Sequence, residues 1–156
     1  ISLTPKRRRS DSCRGHSYFL KIFKVSLFVN LKKMVKLTKE DKELIKECEK
    51  YGMKNRSKRH SVSATVVSKS GKKYNGMSME FDCILGACAE RTAFFKMMPK
   101  EDEIKTIVAM HKSDILPPCG SCREMMVQMN RKNLDSTWII ISKKEKLRLK
   151  NLLPKV

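Results

Sequence analysis

Three cysteines at two predicted helix starts constrain this chain more than any other feature of its sequence. Cys119 and Cys122 stand three residues apart in the segment PCGSC, where Pro118 precedes a predicted helix. At that spacing two thiols can converge on one metal ion, and the unpaired amides of a helix start favour their thiolate forms. Cys88 begins a second predicted helix 31 residues earlier. The three side chains are therefore candidate ligands of a single ion.

The ligand count and one nearby carboxylate indicate which kind of metal site this is. Three protein ligands leave the fourth position of a tetrahedral zinc ion open to water, which is typical of catalytic sites. Glu90 follows Cys88 by two residues, close enough to shuttle protons between that water and a substrate. The pair of segments matches the zinc-deaminase signature, H-x-E followed by P-C-x-x-C, in which Cys can replace His. We therefore predict a zinc-dependent deaminase with Glu90 as the catalytic residue.

Each motif alone has a plainer interpretation. A C-x-x-C pair also occurs in redox pairs and among buried thiols, and a lone Glu on a helix usually faces solvent. A purely structural zinc site would need a fourth ligand, for which Cys83 and His111 are candidates without convincing spacing. The six cysteines could form three disulfides, but a domain of this size does not need them. The combination of motifs favours the catalytic zinc site.

The order of the predicted elements indicates an α/β fold. Helices alternate with apolar strands, which suggests an α/β sandwich around one mixed sheet. The predicted elements are a helix capped at Thr38 and closed by Gly52, a hairpin over 62–77, helices over 88–98 and 119–131, strands over 104–110 and 137–142, and a short strand or helix over 147–153. Residues 143–146, KKEK, are expected to form a solvated turn.

Much of the positive charge lies at the beginning of the chain. The net charge of +19 would ordinarily suggest nucleic acid or an anionic membrane as a partner. Residues 1–33 hold nine basic residues and one acidic residue, which accounts for +8. We expect them to form a basic leader, disordered or non-native, before a domain over 34–156 that starts at Met34; a targeting role stays open. No apolar stretch approaches the roughly 20 residues that a membrane helix needs.

The cysteine motifs resemble those of the cytidine deaminase family, of which blasticidin-S deaminase is a close relative. Residues 86–93, GACAERTA, are similar to the family's CAERTA box, and residues 118–124, PCGSCRE, to its PCGxCR box. The closing LLP of residues 152–154 is similar to the family's terminal LLP. The resemblance covers about residues 38–154. It implies a three-layer α/β/α fold around a five-stranded mixed sheet, in a homotetramer or a homodimer.

The resemblance also implies a role for each matched residue. Glu90 would move protons between the activated water and N3 of a pyrimidine while C4 is attacked and ammonia leaves. The Ala89 backbone would contact the base. Arg91 would hydrogen-bond the zinc cysteines and offset the negative charge of three thiolates. The ligands of Zn²⁺ would be Cys88, Cys119 and Cys122.

Departures from the family pattern bear on the substrate. Glu80 matches a family carboxylate that holds the ribose, while Ser78 stands where the family has Asn, so one ribose contact is shortened or lost. His60 stands where cytidine deaminases often have a base-stacking Phe. We expect Ser78, Glu80, Ala89 and His60 to contact the substrate. The chain is also one residue shorter than the family pattern between Glu80 and Cys88.

The leading hypothesis is a cytoplasmic enzyme that deaminates cytidine or deoxycytidine in pyrimidine salvage. The changes at Ser78 and His60 leave open another cytosine nucleoside, such as blasticidin S. The alternative from another class is a protein that binds or edits nucleic acid. Editing deaminases mostly use His as the first zinc ligand and stack bases on aromatic side chains. This chain has Cys88 at that position and only 6% aromatic residues, which disfavours nucleic acid as the partner.

Overall fold

The computed structural model describes residues 34–81 and 85–153. The predicted basic leader, residues 1–33, lies outside the described residues, and so do Cys83 and Pro154. Within the described ranges, no helix is both long enough and apolar enough to cross a membrane.

The described residues form a mixed sheet of seven strands with helices packed against it. The strands are β1 (Val35–Lys36), β2 (Val62–Ser68), β3 (Lys73–Met77), β4 (Ile104–His111), β5 (Asp114–Ile115), β6 (Trp138–Ile140) and β7 (Glu145–Arg148). The helices are α1 (Lys39–Asn55), α2 (Ala89–Met97), α3 (Gly120–Met129) and α4 (Asn133–Ser136), and a 3₁₀ turn covers Leu149–Asn151. The strand order is β1-β7-β6-β4-β2-β3, with β5 added beside β4. Only the pairing of β4 with β6 is parallel among these strands.

Alternating side chains on the central strands build two apolar cores, because successive residues of a strand face opposite sides of the sheet. One core packs Leu44, Ile45 and Cys48 of α1 against Val67, Val108, Met110 and Ile140. The other packs Phe94 and Met97 of α2 and Met126 of α3 against Val66, Ile107, Ile139 and Leu147. The helices therefore cover both faces, and the predicted three-layer α/β/α fold is confirmed. The sheet differs from the expected five strands by β1 and β5, which are two residues long each.

The start of α1 is capped as the sequence predicts, but the helix does not end at Gly52, where its end was expected. Thr38 Oγ1 accepts a hydrogen bond from the Asp41 amide at 3.2 Å, and the Thr38 amide donates to Asp41 Oδ2 at 2.8 Å. The helix continues to Asn55, so Gly52 lies within it. A Cβ at Gly52 would stand 2.5 Å from Ser63 Oγ on β2. Gly52 thus allows close packing of the helix on the sheet and does not end the helix.

The prediction of a solvated turn over residues 143–146 is wrong for its last two residues, which belong to β7. Lys146 is buried there, and its Nζ lies 2.5 Å from Asp41 Oδ2 on α1. Burial raises the pKa of the Asp41 carboxyl, but hydrogen bonds from Lys146 and Thr38 outweigh it, so the net shift is downward. A buried charge is tolerated only when it is paired, and this pair joins the ends of the domain.

Candidate metal centre and cavity

The three predicted ligands meet where two helices begin. Cys88 and Cys119 are the N-cap residues of α2 and α3, and Cys122 lies in the first turn of α3. Their sulfur atoms all lie within 4.8 Å of one another, and Sγ of Cys88 is 3.7 Å from Sγ of Cys119. Two sulfurs that each stand about 2.3 Å from a tetrahedral zinc ion are roughly 3.8 Å apart. The spacing therefore suits zinc ligation.

The three thiols of this cluster shift one another's pKa values in opposite directions. Hydrogen bonds from the thiols of Cys122 and Cys88 lower the pKa of Cys119, and the backbone amides of Cys122 and Ser121 add to the effect. The pKa values of Cys88 and Cys122 are raised, Cys122 the more strongly, chiefly by their hydrogen bonds with Cys119. A thiolate next to two thiols at helix N-termini is a soft donor set that suits Zn²⁺. Metal binding would displace the remaining protons.

The number of ligands fits a catalytic site better than a structural one. Within the described part of the chain, the close group of metal-binding side chains holds the three cysteines and does not include His111. Cys83, the other candidate fourth ligand, lies outside the described residues. Three thiolates fit a tetrahedral zinc ion with one open position.

Glu90 lies beside the cysteines in the first turn of α2 and is only 5% exposed. Burial, and then the charge of Cys119, raise the pKa of the Glu90 carboxyl to about 7, although its own backbone amide and Arg91 act in the opposite direction. A carboxyl group with a pKa near neutrality can both accept and release a proton at physiological pH. Glu90 thus has the properties of a general acid and base.

A cavity of about 540 Å³ opens onto this group. Cys88, Cys119 and Glu90 line it. Apolar residues form one part of the lining: Val62, Ile115, Leu116, Pro117 and Ile141. The rest of the cavity wall includes Ser78, Met79, Glu80, Ala89 and Arg91. Pockets of a few hundred Å³ with apolar walls and a few polar groups are typical of small-molecule sites. The arrangement suits the binding of a small molecule next to the cysteine cluster.

Comparison with known proteins identifies the family. A family model described as the cytidine and deoxycytidylate deaminase zinc-binding region matches residues 38–135, which include both cysteine motifs and more than half of the chain. The chain belongs to this family. The resemblance inferred from the two motifs is confirmed, and zinc is the metal that this family's binding region holds.

Individual deaminases agree with this assignment. A cytidine deaminase of Halalkalibacterium halodurans is 34% identical over 74 residues, which are 46% of this chain, and the match spans 56% of that relative's length. The crystal structure of cytidine deaminase from Mycobacterium leprae superimposes on this chain with a TM-score of 0.64 at 18% identity. The superposition includes 76% of this chain and all of the other. The cytidine deaminase structure from Burkholderia pseudomallei covers 77% and is covered over 99% of its own chain, with a TM-score of 0.61 at 23% identity. The structures share the fold.

The cavity brings together some of the residues predicted to contact a substrate. Ser78, Glu80 and Ala89 all line it. Ser78 is 6% exposed, and its hydroxyl lies among the backbone amides at the beginning of β2. Ala89 is fully buried at the first turn of α2. Their contacts with a bound substrate remain predictions.

The other two predicted residues, His60 and Arg91, lie in different surroundings. His60 is not part of the cavity lining, and its Nδ1 lies 2.6 Å from the Ser78 carbonyl oxygen. Arg91 lines the cavity, and its buried Nε has no hydrogen-bond partner among the described residues. The hydrogen bonds proposed from Arg91 to the zinc cysteines therefore stay a prediction.

Sequence reasoning missed the role of Gly76, which lets α2 approach the hairpin. A Cβ at Gly76 would stand 2.2 Å from the Ala89 carbonyl oxygen and 2.6 Å from the Ala93 amide. Only a residue without a side chain allows such proximity of backbone to backbone. A glycine inside a predicted strand is the signal that could have indicated it, because such glycines often mark close backbone approach. Gly76 thereby allows the first turn of α2, which carries Ala89 and Glu90, to lie directly against β3.

Proposed function

We propose that this member of the family catalyses the hydrolytic deamination of a cytosine nucleoside, cytidine or deoxycytidine, to the uracil nucleoside and ammonia. The observation that carries the proposal is that two of the three clustered cysteines, Cys88 and Cys119, and the buried carboxyl group of Glu90 line one cavity. The family assignment and the zinc-binding motifs support the same reaction. Pyrimidine salvage is the process in which such a reaction would serve.

The chemistry needs one proton carrier, and Glu90 is suited to it. Zinc, when bound, supplies a Lewis acid that makes a water molecule nucleophilic at neutral pH. Glu90 accepts a proton from the water and delivers it to N3 of the cytosine ring as the water oxygen bonds to C4. It then carries the proton of the new C4 hydroxyl to the C4 amino group, which leaves as ammonia while C4 becomes a carbonyl. Because Glu90 is buried, its proton is transferred in a medium where electrostatic effects are strong.

The lining of the cavity favours a nucleoside as the substrate. Apolar side chains such as Val62, Ile115 and Leu116 suit the faces of a pyrimidine ring, while Glu80 offers a carboxylate that accepts hydrogen bonds from sugar hydroxyl groups. Ser78 has a shorter side chain than the Asn of the family pattern, which favours tests with cytosine nucleosides that carry a different sugar. Blasticidin S is therefore the second candidate substrate.

We also propose that the enzyme forms a homotetramer or a homodimer. Three exposed apolar side chains lie between the hairpin and Cys88. Met79, which lines the cavity, is 43% exposed, Phe81 is 46% exposed and Leu85 is 77% exposed. Burial of such side chains between copies would stabilise an assembly. Light scattering of the purified protein at several concentrations tests this, and a monomer at all of them contradicts it. The cytoplasmic location stays a prediction.

The central test is turnover by the purified full chain with its zinc content measured beside it. Cytidine, deoxycytidine and blasticidin S are supplied separately, and ammonia release and the absorbance change of the base are followed. We expect turnover of both nucleosides with about one zinc ion per chain. Turnover of blasticidin S alone would select the second candidate. Activity confined to cytosines in single-stranded RNA or DNA would favour the nucleic-acid alternative.

A further inference from the structure

The end of the hairpin that faces the cavity contains a hydrogen-bond network between two short segments. Ser78 Oγ accepts hydrogen bonds from the amides of Ser61 and Val62, each at 3.0 Å, and donates to Glu80 Oε1 at 3.1 Å. Glu80 Oε1 also accepts from the Ser61 amide at 3.2 Å and from the Ser61 hydroxyl. The carboxylate of Glu80 is therefore held by two serines.

The hydrogen bonds of Ser78 use its whole capacity. A serine hydroxyl has one proton to donate and two lone pairs to accept with. Ser61, Val62 and Glu80 occupy all three, and the side chain is 6% exposed. A substrate could engage this hydroxyl only by breaking one of these bonds inside a nearly dry site, which would cost about as much as the new bond returns.

Glu80 differs from Ser78 in both capacity and exposure. It lines the cavity at the surface, and a carboxylate has two oxygens with about four acceptor sites in all. Holding Oε1 in place is thus compatible with accepting a hydrogen bond from a substrate hydroxyl. Backbone hydrogen bonds fix the same segment, since the Ser78 amide donates to the Val62 carbonyl at 2.8 Å and the Glu80 amide to the Arg59 carbonyl at 2.9 Å.

We infer that Ser78 is a positioning residue, which with Ser61 orients the Glu80 carboxylate toward the sugar hydroxyls of the substrate, and that Ser78 itself does not contact the substrate. The inference rests on the proposed deamination of a cytosine nucleoside. It makes Glu80 the residue that selects for a hydroxylated sugar. The serine that replaces the family's Asn then acts on the substrate through a neighbouring side chain.

The test compares a substrate that has sugar hydroxyls at the 2′ and 3′ positions with one that lacks them. Ser78→Ala is assayed on cytidine and on 2′,3′-dideoxycytidine. If dideoxycytidine is turned over too slowly for kcat/KM to be measured, its Ki as an inhibitor of cytidine deamination is measured instead. We expect kcat/KM for cytidine to fall about tenfold, mostly through KM, because the variant loses the orientation of one charged acceptor. The constants for dideoxycytidine should change less than about twofold, because the oriented contact is absent there.

A double variant separates positioning from direct contact. If Ser78 acts through Glu80, then Ser78→Ala should have no further effect on cytidine in an enzyme that already carries Glu80→Ala, which removes the acceptor. An undiminished tenfold loss in the double variant would overturn the inference. Equal losses on cytidine and dideoxycytidine would overturn it as well, since they would indicate a purely structural role.

Ser68 supplies a matched control on the same hairpin. It is a buried serine at the other end of β2, and its hydroxyl accepts from the Lys72 amide at 3.2 Å, as Ser78 does from its own amide partners. Ser68→Ala should lower stability without changing the preference between the two substrates. The proposed function is tested independently with the unaltered enzyme. If that enzyme deaminates neither cytidine nor dideoxycytidine, the proposed function fails. If the unaltered enzyme is active and only the effect of Ser78→Ala on the preference between the two substrates is missing, the inference about Ser78 fails and the proposed function stands.

Discussion

The two sides of the cavity are built by different means. The zinc side consists of Cys88, Cys119, Cys122 and Glu90, whose positions follow from local spacing at two helix starts. The hairpin side consists of Ser61, Ser78 and Glu80, whose contacts join residues 17 and 19 positions apart in the sequence. A helix start fixes its first residues wherever it occurs, whereas the hairpin side exists only after two segments have paired. The residues of the proposed chemistry are therefore positioned by local sequence, and those proposed to select the substrate are positioned by tertiary structure.

This contrast predicts complete losses on the zinc side, and the largest follows removal of a ligand. Cys122→Ser replaces a buried thiol with a poor zinc ligand. We expect bound zinc to fall from about one per chain to less than about a tenth, with loss of turnover. Cys48→Ser is the control, because Cys48 is equally buried but lies in the α1 core. Metal analysis after gel filtration checks both, and retention of zinc by Cys122→Ser would contradict the ligand assignment.

The next largest effect should separate the proton carrier from the metal. Glu90→Gln keeps the size of the side chain but cannot carry a proton, so we expect kcat to fall by about 1,000-fold or more while zinc stays bound. Glu124→Gln is the matched control, since Glu124 follows Cys122 by two residues, as Glu90 follows Cys88, but is exposed and bonded to Gln128. Steady-state kinetics beside metal analysis gives the answer. Activity above about a tenth of normal would remove Glu90 from its role.

A change where the two sides meet should affect the whole domain. Gly76→Ala places a methyl group against the backbone of α2, which cannot move without displacing Ala89. We expect a loss of about 3 kcal/mol or more in the free energy of unfolding, at the upper end for overpacked sites. Gly120→Ala is the control, because a Cβ there meets nothing closer than 3.8 Å. Urea denaturation checks the pair, and equal stability would show that the helix can shift at little cost.

The smallest effect lies outside both sides of the cavity, at the Asp41–Lys146 pair. Because the pKa of Asp41 is lowered in the fold, its stabilisation is complete above the ordinary value of 3.8 and is lost as the pH falls through the lowered value. Asp41→Asn should cost roughly 1.5–3 kcal/mol, because the buried Lys146 loses the charge of its partner, although the amide oxygen can still accept its hydrogen bond. It should also reduce this acid dependence. Denaturation at pH 7 and at pH 3 measures both, and an unchanged acid dependence in the variant would contradict the assignment.

The sequence predicted those parts of the molecule that depend on local patterns. The capping box at Thr38, the hairpin and the helix starts at Cys88 and Cys119 follow from spacing within a few residues. The burial of Lys146 was missed, because a lysine in a charged run usually faces solvent and its partner Asp41 is 105 residues away. The two-residue strands β1 and β5 are too short to give an alternating pattern.

The candidate site divides in the same way. The cysteine cluster and the nearby Glu90 could be predicted from two motifs, and the assignment of the cysteines as zinc ligands stays a prediction. The way in which Ser78 holds Glu80 could not, since a serine offers the same atoms to a substrate and to a neighbouring amide. Only the paired segments decide which partner is close enough.

A pair of backbone hydrogen bonds ties the two sides together. The Met79 amide donates to the Ala87 carbonyl at 2.8 Å, and the Ala87 amide donates to the Met79 carbonyl at 2.9 Å. The stretch between them is closed at its base, so its length can change during evolution at a low entropic cost, about 0.6 kcal/mol for each doubling. A change in the length of this stretch can therefore leave the pairing of Met79 with Ala87 in the same register. Such a stretch is a natural place to graft longer loops when the substrate range of the enzyme is to be changed.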